Sequence, residues 1–344
     1  MKAGFVYDPI YLRHNTGGHP ENARRLEAII SHLEKTGLKQ RLTPIKPRPA
    51  TLEELTLVHD ESHVTNVKEV AQNGGGWLDM DTVVSPGSYD AALYAAGGAI
   101  EAVKAVAGGE VNSTFALARP PGHHAVSGRA MGFCLFNNVA VAAVNTREKL
   151  GMERVCIIDF DVHHGNGTQE AFYDNPNVLY ISAHQYPHYP GTGRVEETGR
   201  GEGERTTVNV PLPTGCGDAE YERVFEQIIV PAARRFKPQM ILVSAGYDGH
   251  WKDEMAMMQV SVTGFARMTA IIKDLADGLC NGKLVFCLEG GYNLEAMAAS
   301  VKATFDVLLG ETEIEDSPGQ PPRSSAPRDI EPLIKKVRET HGLG

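Results

Sequence analysis

Short, nearly continuous apolar runs recur along the chain. Between them lie longer stretches in which apolar residues return every three or four positions. The short runs are AGFVY near the N-terminus, STFALA (113–118), RVCIIDFD (154–161), VLYISAH (178–184), TTVNVPL (206–212), MILVSAGYD (240–248) and KLVFCLEGG (283–291). Continuous rather than alternating apolarity predicts strands covered on both faces. Its alternation with helical stretches predicts parallel βαβ units. The helices fall on ENARRLEAIISHLEK, SYDAALYAAGGAIEAVKAV, NNVAVAAVNTREKL, DAEYERVFEQIIVPAARRF, TGFARMTAIIKDLADGL and NLEAMAASVKATFDVLL. The pattern predicts a single doubly wound α/β domain over residues 1–310. After Gly310 the composition changes: ETEIEDSPGQPPRSSAPRD reads as a Pro/Ser-rich linker, and IEPLIKKVRETHGLG as a short closing helix, so 311–344 forms a linker and C-terminal tail.

Composition adds bounds rather than identity. The 344 residues are 42% hydrophobic and 22% charged, ordinary for a soluble globular protein, with a formal net charge of −10. That balance argues against a nucleic-acid binder, which carries a basic face, while leaving a cationic substrate open. Cys134, Cys156, Cys216, Cys280 and Cys287 form no C-x-x-C pair, and three of them sit in or beside apolar runs. This fits reduced, buried thiols. MKAGFVYDP reads as a first strand rather than a signal peptide, and no apolar stretch reaches the length of a membrane span. The expectation is a cytoplasmic protein with no membrane or nucleic-acid partner.

Open α/β sheets bind ligands at the carboxyl ends of their strands. Here those ends carry chemistry. His123 and His124 follow FALA, Asp159, Asp161, His163 and His164 end or follow VCII, and His184 and His188 follow VLYIS. Tyr247, Asp248 and His250 follow MILVSAG, and Tyr292 follows LVFCLEGG. Any one such residue is more often a cap or a satisfied core group. Five strands delivering them to one rim is hard to assign to stability. Residues two apart on a strand share a face, so Asp159 and Asp161 point the same way, with His163 continuing the series. Buried carboxylates must be paired, hydrogen-bonded or on a metal. Asp161, His163 and a distant third ligand, best supplied by Asp248, would make a three-ligand site with open positions, as in catalytic zinc sites. Two carboxylates and an imidazole also suit Fe(II), Mn(II) or Co(II).

RPPGHHAVSGRAMGFCLFNN (119–138), DFDVHHGNGTQ (159–169), SAGYD (244–248), LEGGYNL (288–294) and GGHPENARRL (17–26) together resemble the zinc-dependent histone deacetylase family. That family includes acetylpolyamine amidohydrolases and bacterial deacetylase-like amidohydrolases. The resemblance implies an arginase-like α/β fold with a central eight-stranded parallel sheet flanked by helices. It implies Zn2+ on Asp161, His163 and Asp248, with His124 as general base and later acid and His123 as its electrostatic partner. Asp159 would orient His123, and Tyr292 would donate to the substrate carbonyl and then to the oxyanion. A structural K+ would lie at Asp159, Asp161, His163, Ser182 and Ala183. Phe133, Tyr189 (a phenylalanine in most relatives), Gly132 and Met255 would line the acyl channel, and Asp81 would anchor the substrate backbone.

Finer marks narrow the placement. Asn166, where one branch carries aspartate, points to the class II and bacterial branch. Met255 stands where polyamine-selective relatives place glutamate, which favours an acylated lysine peptide or protein and leaves an acetylated polyamine, a longer acyl-lysine or another acetylated small molecule as alternative substrates. Assembly in the family runs from monomer to tetramer, so a homo-oligomer is compatible. Two rivals lack their marks. A binuclear manganese ureohydrolase would need further bridging aspartates where His164 and Asn166 stand, and a non-catalytic acyl-binding module would have lost a ligand, a tandem histidine or the tyrosine. His32, His59 and His63 read as structural or surface groups, and the GGG at 74–76 lacks the strand–turn–helix setting of a phosphate cradle.

Overall fold

The computed structural model describes residues 1–322 and 327–343. Among the described residues ten strands form two sheets: β1 (Ala3–Val6), β2 (Thr43–Ile45), β3 (Gly76–Trp77), β4 (Val83–Val84), β5 (Ser113–Ala116), β6 (Val155–Asp159), β7 (Val178–Gln185), β8 (Thr207–Leu212), β9 (Met240–Ala245) and β10 (Leu284–Leu288). Eight of them make one sheet in the order β2-β1-β5-β10-β9-β6-β7-β8, and every neighbouring pair is parallel. β3 and β4 pair as a small antiparallel hairpin. A parallel sheet flanked by helices is what the chain's apolar pattern predicts, and its eight strands are what the resemblance implies.

Alternate strand residues feed two cores. Cys156, Ile158, Ile241, Val243, Leu284 and Phe286 face the helices Arg24–Lys35, Val262–Cys280 and Leu294–Leu309. Val155, Ile157, Met240, Leu242 and Val285 face Ser88–Ala107 and Asn138–Leu150. Burial of both faces is the physical reason the strands read as continuous rather than alternating apolar runs.

The differences from the sequence reading have local causes. The eighth strand, β2, is three residues long and contains Pro44. Proline cannot donate to a ladder and survives only at a sheet edge, which is where β2 lies. Polar residues break the apolar rhythm of helix Glu61–Gln72. The helix predicted across 218–236 is interrupted at Phe225–Ile229 by a wide π turn, separated from Pro231 by Val230 alone. Proline lacks the N–H that would continue the α ladder. The closing helix Glu331–His341 forms as read, and its Ile334 and Val337 belong to the same core as β8. Among the described residues no helix is long and apolar enough to cross a membrane. All five cysteines are buried and unbridged.

Candidate active site

Strands β5, β10, β9, β6 and β7 stand consecutively in the middle of the sheet, so the polar segments that follow them converge at one point. The strand order does what no sequence spacing could. It sets Arg119–His124, Asp159–His163, Asp248 and Gly290–Tyr292 side by side.

Strand β6 stops at Asp159. Asp161 and His163 therefore reach the site by turns rather than as a continuing strand face, which corrects the geometric part of the sequence reading. The Asp161 amide donates to Asp159 Oδ1 at 3.1 Å, and the His163 amide donates to Asp161 Oδ1 at 2.8 Å. Each carboxylate thus caps the main chain two residues ahead, the turn that aspartate favours. His163 Nδ1 lies 3.1 Å from Asp161 Oδ1 and 3.2 Å from Asp248 Oδ2. Asp248 Oδ1 accepts from the Val162 amide at 3.1 Å, and Asp161 Oδ2 from the Gly290 amide at 2.8 Å.

These three side chains, all buried, offer ligand atoms within 4.8 Å of one another. Two carboxylates and one imidazole converging in a buried site are the donor set of a catalytic divalent metal. The surrounding backbone leaves them room. A Cβ on Gly246 would strike the Asp161 carboxylate, and one on Gly290 would strike both Asp248 and Asp161. Burial works against charge on Asp161, but His123 and His163 hold its carboxyl well below the usual range. The residues fit such a metal.

The His123 and His124 rings lie with centres 4.0 Å apart, tilted 44° to one another. His123 Nδ1 donates to Asp159 Oδ2 at 3.1 Å, and the Tyr180 hydroxyl donates to the same oxygen at 3.0 Å. Burial disfavours a charged His123, yet the Asp161 and Asp159 carboxylates raise it to about 10. His124 is pushed the other way, by burial first and then by His123 and His163. Its Nδ1 lies 2.8 Å from Asn166 Oδ1, while Asn166 Nδ2 donates to the His124 carbonyl at 3.3 Å. That pair of bonds orients the amide, makes Nδ1 the protonated nitrogen of His124, and leaves the Nε2 lone pair free. In the sequence Asn166 stands out only as a branch marker; in the fold it sets a tautomer.

Above this floor lies a cavity of about 200 Å³ lined by Asp81, His123, His124, Gly132, Phe133, His163, Tyr189, Met255 and Tyr292. Every channel residue singled out from the sequence therefore borders one space. Phe133 meets Tyr292 edge-on at 5.8 Å, and Tyr189 meets His124 edge-on at 5.1 Å. Phe133 has φ +70, a conformation side chains rarely adopt, and its amide is tied to Thr82 Oγ1 at 3.2 Å. Gly132 beside it has φ +54, and a Cβ there would collide with the His124 ring. Ser182 pairs with Asp159 across β6 and β7, next to Ala183, and its hydroxyl bonds His184 Nδ1 at 2.8 Å.

Of the other rim histidines, His188 borders the cavity, stacks on His163 at 4.9 Å and bonds the Met255 carbonyl. His164 is turned away onto Thr192 and Gln169, and His250 is buried against Trp251 and Phe265. His59 and His63 are buried and bonded to main-chain groups, as structural residues.

Sequence reasoning missed the buried charges around the site. Glu21, Arg25 and Arg119 are all fully buried. Glu21 pairs with Arg25 at 3.1 Å and with Arg119, whose Nη2 lies 2.7 Å from Oε2. Arg25 also donates to the Gly291 carbonyl at 2.7 Å and to the Glu289 carbonyl, and its guanidinium lies 5.0 Å from the centre of the Tyr292 ring. Glu289 in turn accepts from the Gly122 and His123 amides at 2.7 and 3.2 Å. One signal was available. Arg25 falls in the buried stripe of its helix with Leu26, Ile29, Ile30 and Leu33, where a solvated charge has no place.

Burial alone would raise the Glu21 carboxyl. The Arg119 charge and the bonds from His14 and Arg119 instead hold it well below the usual range. A folded value below the unfolded 4.5 contributes stability that is complete above that pH and is lost as pH falls toward the folded value. Glu21→Gln leaves two buried guanidinium groups short of a partner and is expected to cost about 3–5 kcal/mol near neutral pH. Urea unfolding should show the gap between wild type and variant narrowing below pH 4.5. A gap that stays constant through acid pH would contradict this role.

The Histone deacetylase domain family matches residues 19–308. Over 96% of its length the chain is 41% identical to Histone deacetylase 10, chloroplastic, of Oryza sativa subsp. japonica, covering 79% of that protein. It is 44% identical over 86% of its length to a Probable deacetylase of Archaeoglobus fulgidus, covering 82% of it. It is 40% identical over 84% of its length to the Histone deacetylase-like amidohydrolase of Pseudomonas aeruginosa, covering 75% of it. Among solved structures, the HDA15 HD domain superposes with a TM-score of 0.89 at 38% identity, covering 99% of this chain and 94% of that one. With its eight-stranded sheet and the residues gathered at the centre of that sheet, the chain belongs to the histone deacetylase family, whose members are deacetylases and amidohydrolases.

Proposed function

We propose that the protein hydrolyses the side-chain amide of N-acyl-lysine in peptides or proteins, with acetyl as the acyl group. The observation that carries the reading is the cavity of about 200 Å³ itself, lined by the Phe133 and Tyr189 rings together with His123, His124, His163 and Tyr292. Asp161, His163 and Asp248 would hold a zinc ion, or Fe(II) in its place. When bound, such a cation would supply Lewis-acid polarisation of the amide carbonyl and acidification of the attacking water.

The chain's own residues carry the protons. His124 Nε2, its lone pair left free by the Asn166 bond, takes a proton from the water as the water oxygen bonds to the carbonyl carbon. The positive charge on His123, favoured by Asp159, offsets the negative charge that develops on the substrate. The Tyr292 hydroxyl donates to the carbonyl oxygen as it becomes an oxyanion, a bond stronger in the transition state than in the ground state. His124 then returns its proton to the leaving nitrogen, and the C–N bond breaks to give acetate and the free lysine amine. In the same reading Asp159, Asp161, His163, Ser182 and Ala183 would hold a structural potassium ion, and Asp81 would take main-chain donors of the substrate.

Met255 gives the wall an apolar side chain where recognition of a second ammonium group would need a carboxylate, which favours lysine over a polyamine. A groove of about 430 Å³ runs on from Met255 and Tyr292 past His19, Arg24 and Lys252, and offers room for residues flanking the lysine. Hydrolysis of an acetyl-lysine peptide and of N-acetylputrescine by the zinc-loaded protein separates the readings. The peptide is expected to be the better substrate by kcat/KM. Turnover of the polyamine alone would move the protein to acetylpolyamine chemistry, and turnover of neither would leave another acyl group or a binding role.

A further inference from the structure

Asp253 lies on the loop after Asp248 and has no part in the chemistry described above. Its side chain is only 5% exposed. Its neighbour Lys252 turns instead to Glu295 at 3.4 Å. What satisfies the Asp253 carboxylate is main chain. Oδ2 accepts from the Tyr292 amide at 2.6 Å and the Asn293 amide at 2.8 Å, and Oδ1 accepts from the Met255 amide at 3.0 Å. The Asn293 side chain closes the link by donating to the Lys252 carbonyl at 3.1 Å.

The Gly291 carbonyl and the Tyr292 amide belong to one peptide plane. Arg25 Nε donates to the carbonyl at 2.7 Å, and Asp253 accepts from the N–H at 2.6 Å. The plane is thus gripped at both ends by opposite charges, each at the end of the peptide dipole it complements. The grip is needed at this place. Gly290 and Gly291 precede the tyrosine, and Gly291 has φ +117, a region open almost only to glycine. A backbone this permissive does not by itself fix the direction in which the next side chain leaves it.

We infer that Asp253 is a positioning residue for Tyr292. By holding the 291–292 peptide plane against Arg25, it aims the phenolic hydroxyl at the reacting carbonyl, and through the Met255 amide it keeps the channel wall in register with that hydroxyl. The inference rests on the role proposed for Tyr292. A misplacement of about 1 Å at a reacting group is enough to cost about 10²-fold in rate.

The test is a double-mutant cycle on the zinc-loaded full chain. Asp253→Ala and Asp253→Asn are made in the wild-type and Tyr292→Phe backgrounds, with kcat and KM measured on an acetyl-lysine peptide and zinc content checked in each. In the wild-type background Asp253→Ala is expected to lower kcat by roughly 10–100-fold with KM within about twofold. Asp253→Asn keeps an acceptor oxygen and should recover most of that loss. In the Tyr292→Phe background neither change should lower kcat further, because the hydroxyl they aim is gone. An equal loss in both backgrounds, or no loss in wild type, would overturn the inference and leave the Tyr292 role standing. A Tyr292→Phe variant with wild-type kcat would instead remove that role, and the two failures are therefore distinct. Should Asp253→Ala fail to fold, Asp253→Ser, whose single short hydroxyl cannot accept from both the Tyr292 and Met255 amides, carries the same comparison. A kcat loss in wild type that disappears in the Tyr292→Phe background supports the inference, and a loss present in both backgrounds overturns it.

Discussion

A Tyr292→Phe variant is expected to lose roughly 10²–10³-fold in kcat on an acetyl-lysine peptide, about 2.7–4 kcal/mol of transition-state stabilisation, with KM little changed. The substitution removes one oxygen atom and leaves the ring among its neighbours, Phe133 at 5.8 Å and the Arg25 guanidinium at 5.0 Å. Folding and channel shape should therefore survive. Burial holds the phenol well above its ordinary value despite the Arg25 charge, so Tyr292 keeps its proton through the neutral range and can donate it in a hydrogen bond. Such a bond strengthens only as charge builds on the substrate oxygen. That is why the loss belongs in kcat and not in ground-state binding. Steady-state kinetics beside a thermal melt would check it, and an unchanged kcat would remove Tyr292 from the chemistry.

The second large effect is expected at the metal ligands. Asp248→Asn preserves the side chain's shape and its acceptance of the Val162 amide at 3.1 Å, but it removes the charge and one strong ligand. Bound zinc after dialysis should fall from about one per chain to near zero, and affinity by more than the roughly 10–100-fold that follows loss of an outer hydrogen-bond partner. Added zinc should raise the melting temperature of wild type, because it binds only the folded chain, and should fail to do so in the variant. Retention of full metal content by Asp248→Asn would mean that the ion sits elsewhere.

Much of this could be read from the sequence, for physical reasons specific to each part. The strands were legible because both faces of the sheet are covered, which makes Ile157, Ile158, Leu242 and Val243 equally apolar. β2 was not, because a three-residue edge strand with a proline leaves no hydrophobic run. The trio proposed to hold the metal stands out because Asp161, His163 and Asp248 interrupt apolar runs at the ends of strands. A strand face would bring them together too, but the chain does it through two aspartate turns. What stayed hidden was the bracing. Glu21, Arg25, Arg119, Asp253 and Glu289 have the sequence appearance of solvated charge, and only the assembled fold shows that each is buried against a partner or a main-chain amide. Glu21 lies 98 positions from Arg119, and Arg25 lies 266 positions from Gly291, so no local pattern encodes either meeting.

The claim that joins these parts is metal-dependent hydrolysis of an acyl-lysine amide at the Asp161–His163–Asp248 centre. Its most direct test is acetate release from an acetyl-lysine peptide by protein stripped with a chelator and then titrated with zinc. Acetate release should be at background in the stripped protein, rise with added zinc, and saturate near one ion per chain, in wild type but not in Asp248→Asn. Release that persists without metal, or a zinc-loaded protein that binds the peptide and frees no acetate, would contradict the account.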